Sequence, residues 1–314
     1  MESQPTKTEG IDRGKLIMTL LIAAIVISVG AVSYVVYSNS HASKAQNLPV
    51  VKAGDKVMMN YIGRFSDGRV FDTTLASVGG NNALYPKSLT YTPRGNTSYV
   101  PFNMTAGNYG SGGTIKGFAL GVIGLSEGDH VIIDVPASDA YPVVETYVHT
   151  VNIVDNVSIF GSLSDTDFAA AFGSAAEVGQ IYKHYFWGWD IQVTSNEGGL
   201  VIYQNEPDVG QIVYPFGNPL NATSPAGWPV LVEKYDLSAN GGQGLMQIRH
   251  EVTASDVYNV KGTDSDRSTI VVSSFNATAG TFQITKSNSS TGFNGEIAGR
   301  ELFFEVFILK VTAP

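Results

Sequence analysis

A long apolar run near the amino terminus limits what this chain can fold into more than any other feature. Residues Leu16 to Tyr37 form 22 consecutive positions without a charged side chain. As an α-helix this run is ~33 Å long, which matches the hydrocarbon thickness of a bilayer. We therefore predict a transmembrane helix over residues 16–37. A cleaved signal peptide is the alternative, although the apolar part of such a peptide is usually only about 7–15 residues long.

The flanking charges predict how this helix is oriented. Arg13 and Lys15 lie at its amino-terminal end, whereas the first positive charge on the other side is Lys44. Because positively charged flanks stay in the cytoplasm, residues 1–15 are predicted to form a cytoplasmic tail. Residues 38–50 are small and polar and are predicted to be a tether. The main domain is then extracytoplasmic, on a protein that crosses the cell membrane once.

Composition excludes several kinds of chemistry. The chain contains no cysteine, so it has neither disulfides nor thiol catalysis. Its formal charge is −9, and residues 1–15 contribute nothing to that value because they hold three acidic and three basic side chains. An acidic exported part argues against nucleic acid as a partner. The five histidines are scattered without a metal-binding motif, and we predict neither a metal nor another cofactor.

Asparagine sequons mark candidate glycosylation sites in an exported chain. The pattern Asn-x-Ser/Thr is the acceptor for N-linked glycans and belongs on exposed surface. It occurs six times, at Asn96, Asn103, Asn156, Asn221, Asn276 and Asn288. We therefore predict a glycoprotein.

The exported part has the pattern of a mainly β (α+β) protein. KVMMNYIG and GRVFDT read as strands on either side of a Ser-Asp-Gly turn, and HVIIDVP (130–136) reads as a further strand. A short helix is predicted over residues 115–122, and its two internal glycines mean that packing has to hold it. Residues 297–311 alternate between apolar and polar side chains, which is typical of a half-buried strand.

Three segments of this pattern resemble one known family in order and spacing. They read GDKVMMNYIGRFSDGRVFDTT, GSGGTIKGFALGVIGLSEGD and VIIDVPASDAYP, and they are similar to the FKBP-type peptidyl-prolyl isomerases. In the SlyD-like branch of that family a second domain is inserted in the flap after the Ala-Tyr motif. FNGEIAGRELFFEV (293–306) has the form of the returning chain.

This resemblance implies a domain organisation. An FKBP-like antiparallel sheet around a short helix would be discontinuous, built from residues 51–145 and 293–314. A large, mostly β domain would be inserted between them, and we call residues 146–292 the insert segment. The whole would be a membrane-anchored protein of the archaeal type.

The resemblance also implies a substrate pocket. Its catalytic positions are Tyr61, Phe71, Asp72, Ile115, Phe118, Tyr141 and Phe304, with Phe102 as a further substrate-binding residue. Phe71, Phe118 and Phe304 would form an apolar slot for a proline ring. The Tyr141 hydroxyl and the Ile115 backbone N–H would donate hydrogen bonds, while Tyr61 and Asp72 would orient each other and the substrate carbonyl. Taken singly, each of these residues would more readily be a core or turn residue, and only their joint order and spacing favour a site.

The chain departs from the family pattern at three places. Phe118 stands where the family usually has tryptophan, which preserves prolyl binding but loosens the fit to large macrolide inhibitors. Pro142 replaces an expected glycine and changes the exit angle into the insert segment. The stretch from Ala76 to Gly113 is longer than usual and could overhang the pocket.

The insert segment carries an aromatic cluster with two interpretations. In YFWGW (185–189), Trp187 and Trp189 alternate onto one side of a predicted strand, which favours the inner face of a sheet. The alternative, implied by the SlyD-like resemblance, is an exposed surface on which both tryptophans bind unfolded clients. The segment also repeats Val-Gly-Gln-Ile at 178–181 and 209–212, which we interpret as a recurring turn into a strand rather than a true repeat.

Two functions from different classes follow from these observations. The first is a peptidyl-prolyl cis-trans isomerase, or rotamase, that assists the folding of exported proteins. Its partners would be proline-containing unfolded polypeptides, with the insert segment acting as a chaperone that holds them. The alternative is a non-catalytic cell-surface binding or assembly module on an FKBP scaffold. Joint retention of Tyr61, Phe71, Asp72, Ile115 and Tyr141 favours the first, because a decayed pocket would be free to lose them.

Overall fold

A computed structural model describes residues 48–221 and 226–314. The predicted cytoplasmic tail, the transmembrane helix over Leu16–Tyr37 and most of the tether lie outside the described residues. Within the described residues, no helix is both long and apolar enough to span a bilayer. The chain divides into Met1–Pro49 and Val50–Pro314, and the architecture below is that of the second unit.

The second unit is built from strands with a few short helices. The strands are β1 (Lys56–Arg64), β2 (Val70–Thr73), β3 (Phe102–Thr105), β4 (His130–Val135), β5 (Val148–Asn152), β6 (Val154–Val157), β7 (Phe160–Ser164), β8 (Ile181–Lys183), β9 (Asp190–Glu197), β10 (Leu200–Asn205), β11 (Ile212–Val213), β12 (Val230–Asp236), β13 (Leu245–His250), β14 (Lys261–Thr263), β15 (Thr269–Asn276), β16 (Thr281–Lys286) and β17 (Leu302–Thr312). The helices are α1 (Ala76–Gly79), α2 (Lys116–Gly121), α3 (Asp165–Phe172) and α4 (Ala239–Gly242). The prediction of a mainly β fold with several antiparallel sheets is confirmed.

One sheet combines strands from both ends of the unit. Its order is β2-β1-β17-β4, and β3 also pairs with β1. The long strand β17 lies antiparallel to both of its neighbours, with Tyr61 opposite Val306 and Phe304 opposite Ile133. Its burial alternates as the sequence pattern predicts, since every second residue from Leu302 to Ile308 is buried. Strands that are distant in the sequence therefore lie side by side in this sheet.

Helix α2 lies unusually close to this sheet. A Cβ atom added at Gly117 would be 2.4 Å from Val135 Cγ1, and one added at Gly121 would be 2.4 Å from Ile133 Cγ2. Only glycine permits that approach, which brings Phe118 and Ala119 into the core. Packing against β4 therefore offsets the poor helix propensity of the two glycines.

The insert segment contains three four-stranded sheets with one common plan. Their strand orders are β7-β10-β9-β8, β11-β12-β13-β6 and β14-β15-β16-β5. Each consists of three consecutive strands joined as a meander, completed by one strand from the run 148–164. The two longest strands of each sheet have a register shift, next to Ile202, Val232 and Val272 respectively. The three sheets therefore share strand order, direction and the place of an irregularity.

A recurring turn leads into the first strand of each meander. The second residue of the turn has a positive φ and donates its N–H to a valine carbonyl in all three sheets, with Gly179 (φ 84°) bonded to Val193, Gly210 (φ 89°) to Val232 and Tyr258 (φ 54°) to Val272. The two Val-Gly-Gln-Ile stretches thus have a third counterpart at residues 257–260. We interpreted the two stretches as a recurring turn, whereas in the structure a whole sheet recurs with the turn. The third copy is not visible in the sequence because Tyr258 stands where the first two turns have glycine.

The third of these turns lies against the first sheet. The guanidinium carbon of Arg300 lies 4.3 Å from the centre of the Tyr258 ring and 3.5 Å from that of Phe65, which follows β1. Arg69 Nη2 also donates to the Tyr258 carbonyl oxygen over 2.6 Å. Cation–π and hydrogen-bonding contacts thus connect the insert segment to the β1–β2 turn.

The tryptophan cluster lies inside the insert segment, which corrects the proposed client-binding role of Trp189. Trp189 is 0% exposed, and its Nε1 donates to Asn205 Oδ1 over 2.8 Å. Trp187 is half-buried and stacks on it with ring centres 4.7 Å apart. Residues 185–188 form a turn before β9 rather than a strand. The turn folds Trp187 back onto Trp189, so neither ring forms an open apolar surface.

Two buried histidines are held in the neutral form by the same core. His184 Nδ1 accepts the backbone N–H groups of Phe186 and Trp187, and His250 Nδ1 accepts the Trp228 Nε1–H over 3.0 Å. Burial lowers the pKa of each histidine to about 4. Protonation would replace an accepting nitrogen by a second donor and leave a charge in an apolar core.

We expect this pair to make the fold sensitive to mild acid. The unfolded chain binds protons at its histidines below pH ~6.5, whereas the folded chain does not until about pH 4, so stability is complete above pH 6.5 and falls across this window. Protonation of each histidine should lower the free energy of unfolding by up to roughly 3 kcal/mol across this pH window. Urea unfolding at pH 7.5 and pH 4.5 measures the loss. His250→Asn, which keeps an acceptor for Trp228, should flatten the profile, and the exposed His149→Asn should not.

The six sequons differ in exposure. Asn96, Asn103, Asn156, Asn221 and Asn276 are exposed. Asn288 is half-buried, and its Nδ2 donates to the Tyr147 hydroxyl over 2.9 Å. A glycan on Asn288 would displace that contact, so Asn288 is the least suitable of the six predicted acceptors.

Candidate active site

Five of the six aromatic residues predicted to form the site, all except Tyr141, form one cluster of ring contacts. The Phe118 and Phe304 rings stack with centres 4.4 Å apart, and Tyr61 meets both edge-on at 5.8 and 5.9 Å. Phe71 contacts Phe304 at 5.5 Å, and Phe102 contacts Tyr61 at 5.8 Å. Strands β1, β2, β3 and β17 and helix α2 each contribute one ring. Offset and edge-to-face pairs of this kind are the favoured arrangements of aromatic side chains.

The cluster has a buried floor and open walls. Tyr61, Phe118 and Phe304 are only 7%, 2% and 5% exposed. Phe71 and Phe102 are half-buried around them. The resemblance implies one slot lined by Phe71, Phe118 and Phe304, whereas in the structure Phe118 and Phe304 are buried because α2 packs tightly onto the sheet. Of the three rings, Phe71 is the one that borders a cavity described below. Phe118 and Phe304 support the site from below.

A glycine allows the Phe71 wall to lie flat on the sheet. Gly63 on β1 is paired with Asp72 on β2, and a Cβ atom at position 63 would be 2.5 Å from Phe71 Cζ. Any larger residue would push the Phe71 ring away from the floor. The Tyr-Ile-Gly order on β1 therefore serves the site as well as the strand.

Two cavities open beside the walls of this cluster, and Tyr141 and Pro142 border both of them. The first has a volume of about 410 Å³ and is bordered by Phe71, Asp72 and Ile297 as well as by Tyr141. The second, of about 510 Å³, is bordered by Phe102, Ile115 and Tyr141. We call them the Asp72 cavity and the Ile115 cavity. The predicted residues are thus brought together, with Tyr141 between two openings rather than at the edge of one.

Asp72 is held by a network that includes a residue missed in the sequence. Its carboxylate accepts the Tyr61 hydroxyl over 2.5 Å and the Thr73 backbone N–H over 2.8 Å. Arg94 Nη2 donates to both carboxylate oxygens, at 2.9 and 2.8 Å, and to the Tyr61 hydroxyl oxygen at 3.1 Å. The mutual orientation of Tyr61 and Asp72 is as predicted. Arg94 is the additional member that fixes it, in a partly exposed charge-assisted pair.

Arg94 lies on the long stretch between Ala76 and Gly113, and that stretch is firmly anchored. Glu296 is 0% exposed, and its carboxylate accepts the backbone N–H groups of Leu89 and Thr90 over 2.9 and 2.6 Å. The Thr90 hydroxyl donates to the same carboxylate over 2.6 Å. Lys261 Nζ donates to the Leu89 carbonyl over 2.5 Å. We predicted that this stretch overhangs the pocket. In the structure it brings the Arg94 guanidinium to the Asp72 carboxylate.

The pKa values of the two tyrosines keep both hydroxyls protonated. Burial, with the Asp72 carboxylate beside it, raises the pKa of Tyr61 well above its ordinary value. The pKa of Tyr141 is raised by burial first and by Asp72 second. Both groups are therefore hydrogen-bond donors across the physiological pH range. The Tyr61 hydroxyl donates its hydrogen bond to the Asp72 carboxylate.

Two donors at the site have no acceptor within the described residues. The Tyr141 hydroxyl makes no hydrogen bond there, and its side chain is 41% exposed. The Ile115 backbone N–H precedes the first turn of α2 and also lacks a partner in residues 48–221 and 226–314. Both border the Ile115 cavity. A bound carbonyl oxygen would satisfy them.

Comparison with known proteins places this site in a matched region. A family model described as FKBP-type peptidyl-prolyl cis-trans isomerase matches residues 49–151, about a third of the 314 residues. A short-type peptidyl-prolyl cis-trans isomerase from Methanocaldococcus jannaschii is 33% identical over 92 residues, which is 29% of this chain. The match covers 51% of that relative, so the chain spans about half of its length. Residues 49–151, with most of the site but not Phe304, are thus similar to an FKBP-type isomerase domain.

Proposed function

We propose that the protein is a peptidyl-prolyl cis-trans isomerase that acts at the cavities around Tyr141. The observation that carries this proposal is the pair of unsatisfied donors, the Tyr141 hydroxyl and the Ile115 N–H, beside an aromatic floor. An X-Pro segment has an apolar proline ring and a polar carbonyl group. The aromatic floor would bind the ring, and the two donors would bind the carbonyl oxygen. The similarity of residues 49–151 to the FKBP-type family supports the same function.

The physical problem is the barrier to rotation about the X-Pro bond. It amounts to ~20 kcal/mol, because the amide loses its resonance at the twisted geometry. The twisted carbonyl is no longer conjugated with nitrogen and prefers a preorganised donor in a site with little water. Tyr141 and Ile115 would supply that donor, and the floor of Tyr61, Phe118 and Phe304 would exclude water. The reaction requires no proton transfer.

Asp72 has a positioning role in this mechanism. Its oxygen atoms are occupied by Tyr61, Thr73 and Arg94, and a carboxylate cannot donate to a carbonyl. The network fixes the Tyr61 ring, which is part of the floor, and the side of the Asp72 cavity. Loss of either charged partner would leave the other unpaired in a half-buried place.

We further propose a SlyD-like arrangement in which the insert segment holds unfolded, proline-containing clients. Support comes from apolar side chains at two of the recurring turns. Val178 and Ile181 are 64% and 51% exposed, and Val209 and Ile212 are 62% and 53% exposed. These four residues replace the tryptophans as the proposed client-binding positions, because exposed apolar groups can cover apolar segments of an unfolded chain.

The apolar run Leu16–Tyr37 supports the proposal that the protein is anchored in the cell membrane with this domain outside. Its clients would then be exported polypeptides. The alternative function is a non-catalytic binding or assembly module that uses the same exposed turns. Catalysis of cis-to-trans conversion in a proline peptide distinguishes the two.

Removal of a polar group at the site should reduce catalysis without unfolding the domain. We expect Tyr141→Phe, Asp72→Ala and Arg94→Gln each to lower kcat/KM for a proline tetrapeptide roughly 5- to 150-fold, the equivalent of about 1–3 kcal/mol. The control is Asp134→Ala, which removes an exposed carboxylate from β4 and should leave the rate unchanged. Full activity in all three variants, or no activity in the wild type, would replace catalysis by the binding-module function.

A further inference from the structure

A larger, polar cavity lies next to the proposed active site. Its volume is about 900 Å³, and its walls come from residues 90–92, 266–269, 286–289 and 292–294, with Tyr147 and Lys261. We call it the polar groove. It lies between the loop that carries Arg94 and the sheet β14-β15-β16-β5 of the insert segment. None of the predicted catalytic positions borders it.

The polar groove is continuous with the Asp72 cavity. Both are bordered by the same five residues, Thr90, Thr92, Gly292, Phe293 and Asn294. Asn294 Nδ2 donates to Thr90 Oγ1 over 2.8 Å, and the Phe293 ring packs against Tyr147 with ring centres 4.8 Å apart. These contacts fix the ridge between the two cavities. A chain that leaves the Asp72 cavity along this ridge enters the polar groove directly.

The charges in the groove are unbalanced towards the positive. Lys286 pairs with both Asp264 and Asp266, at 2.5 and 2.9 Å, so these three side chains together carry one negative charge in excess. Lys261 donates to a backbone carbonyl, which leaves its charge without a counter-ion in the described ranges. Arg267 is exposed, and its side chain has no partner within residues 48–221 and 226–314. Lys261 and Arg267 outweigh that excess, so the groove has a net positive charge in a chain whose formal charge is −9.

We propose that the polar groove is a subsite for the residues that flank the substrate proline, and that it selects segments carrying an aspartate or glutamate. Lys261 and Arg267 would bind the carboxylate, Arg267 through its planar pair of donors and Lys261 as a point charge. The serine, threonine and asparagine side chains of the groove would bind the peptide backbone. This inference rests on the proposed function, because it requires the proline to occupy the Asp72 cavity.

The test uses the full-length protein and two series of fluorescent proline peptides. One series moves a single glutamate through each of the four positions on either side of the proline, and the other carries lysine at the same places. At one or more positions the glutamate peptide should bind roughly 5- to 30-fold more tightly than the lysine peptide at low salt, as expected for one or two partly exposed ion pairs. The difference should shrink at 0.5 M salt.

Matched variants assign the preference to the groove. Lys261→Gln combined with Arg267→Gln should abolish the difference between the two peptides. Lys234→Gln, which removes an exposed cation elsewhere in the insert segment, should retain it. Equal binding of both series to the wild type, or an unchanged preference in the double variant, would overturn the inference. Absence of catalysis with a retained preference would instead count against the proposed function alone.

Discussion

Glu296→Ala is expected to lower the free energy of unfolding by about 3–5 kcal/mol, because it leaves two half-buried backbone N–H groups and the Thr90 hydroxyl without their charged acceptor. Those groups belong to Leu89 and Thr90, and no water can reach a carboxylate that is 0% exposed. The same change frees the loop that holds Arg94 against Asp72. We therefore expect the proposed isomerase activity to fall as well, although Glu296 borders neither the Asp72 cavity nor the Ile115 cavity.

Chemical denaturation and a peptide isomerisation assay measure the two effects. Glu301→Ala removes a carboxylate that is exposed five residues further along the chain and should change neither. Glu296→Gln keeps one carbonyl oxygen and should lose less stability than the alanine variant. If Glu296→Ala unfolds at the wild-type denaturant concentration, the carboxylate does not anchor the loop.

Phe304→Ala is expected to cost about 3–5 kcal/mol of stability through the cavity that it opens in the core. The ring touches three of the other aromatic rings of the site, so its removal also opens the floor to water. We expect nearly complete loss of the proposed isomerase activity at temperatures at which the variant is still folded.

The neighbouring Phe303 offers a matched control on the same strand. It faces the opposite side of β17 and is only half-buried, so Phe303→Ala should cost much less stability and no activity. Near-ultraviolet circular dichroism establishes the folded fraction at the assay temperature. A Phe304→Ala protein with the wild-type rate per folded molecule would show that the floor does not contribute to the reaction.

Much of the site could be predicted because its residues lie on regular elements with recognisable motifs. Tyr61 is on β1, Phe71 and Asp72 are on β2, and Phe118 is on α2, each in a segment with strong periodicity or turn signals. The alternation of apolar and polar residues over 297–311 also predicted that Phe304 lies on the buried face of β17. A motif does not reveal how deeply a residue is buried. The exposure of Phe118 depends on how closely two glycines allow α2 to approach β4.

Arg94 was missed because its position depends on contacts distant in the sequence. The stretch from Ala76 to Gly113 has little periodicity, and Glu296, which anchors it, is more than two hundred residues away. One signal was available in the sequence. Asp72 was predicted to lie among aromatic side chains, and a partly buried carboxylate is stabilised by a nearby cation, which the prediction lacked. Arg94 and Lys87 are the only cations between Ala76 and Gly113.

The insert segment was harder to predict for a related reason. Its sheets are completed by strands that are distant in sequence, and alternation in YFWGW does not reveal that a glycine turn at 188 folds Trp187 onto Trp189. The third recurring turn has a tyrosine where the first two have glycine. Local patterns therefore gave the type of structure in this part but not its threefold plan.

The strand pairing has a consequence for the order in which the molecule can assemble during synthesis. The pairs β7–β10, β6–β13, β5–β16 and β1–β17 are nested one within another, so each sheet waits for a strand made later than the previous one. Loops of this length close slowly, and pairing between distant strands dominates the folding time. The outermost pair brings in Phe304 last. A nascent chain therefore has no complete aromatic floor until β17 has been made and has paired with β1, which is after the strands of the other three sheets have been synthesised.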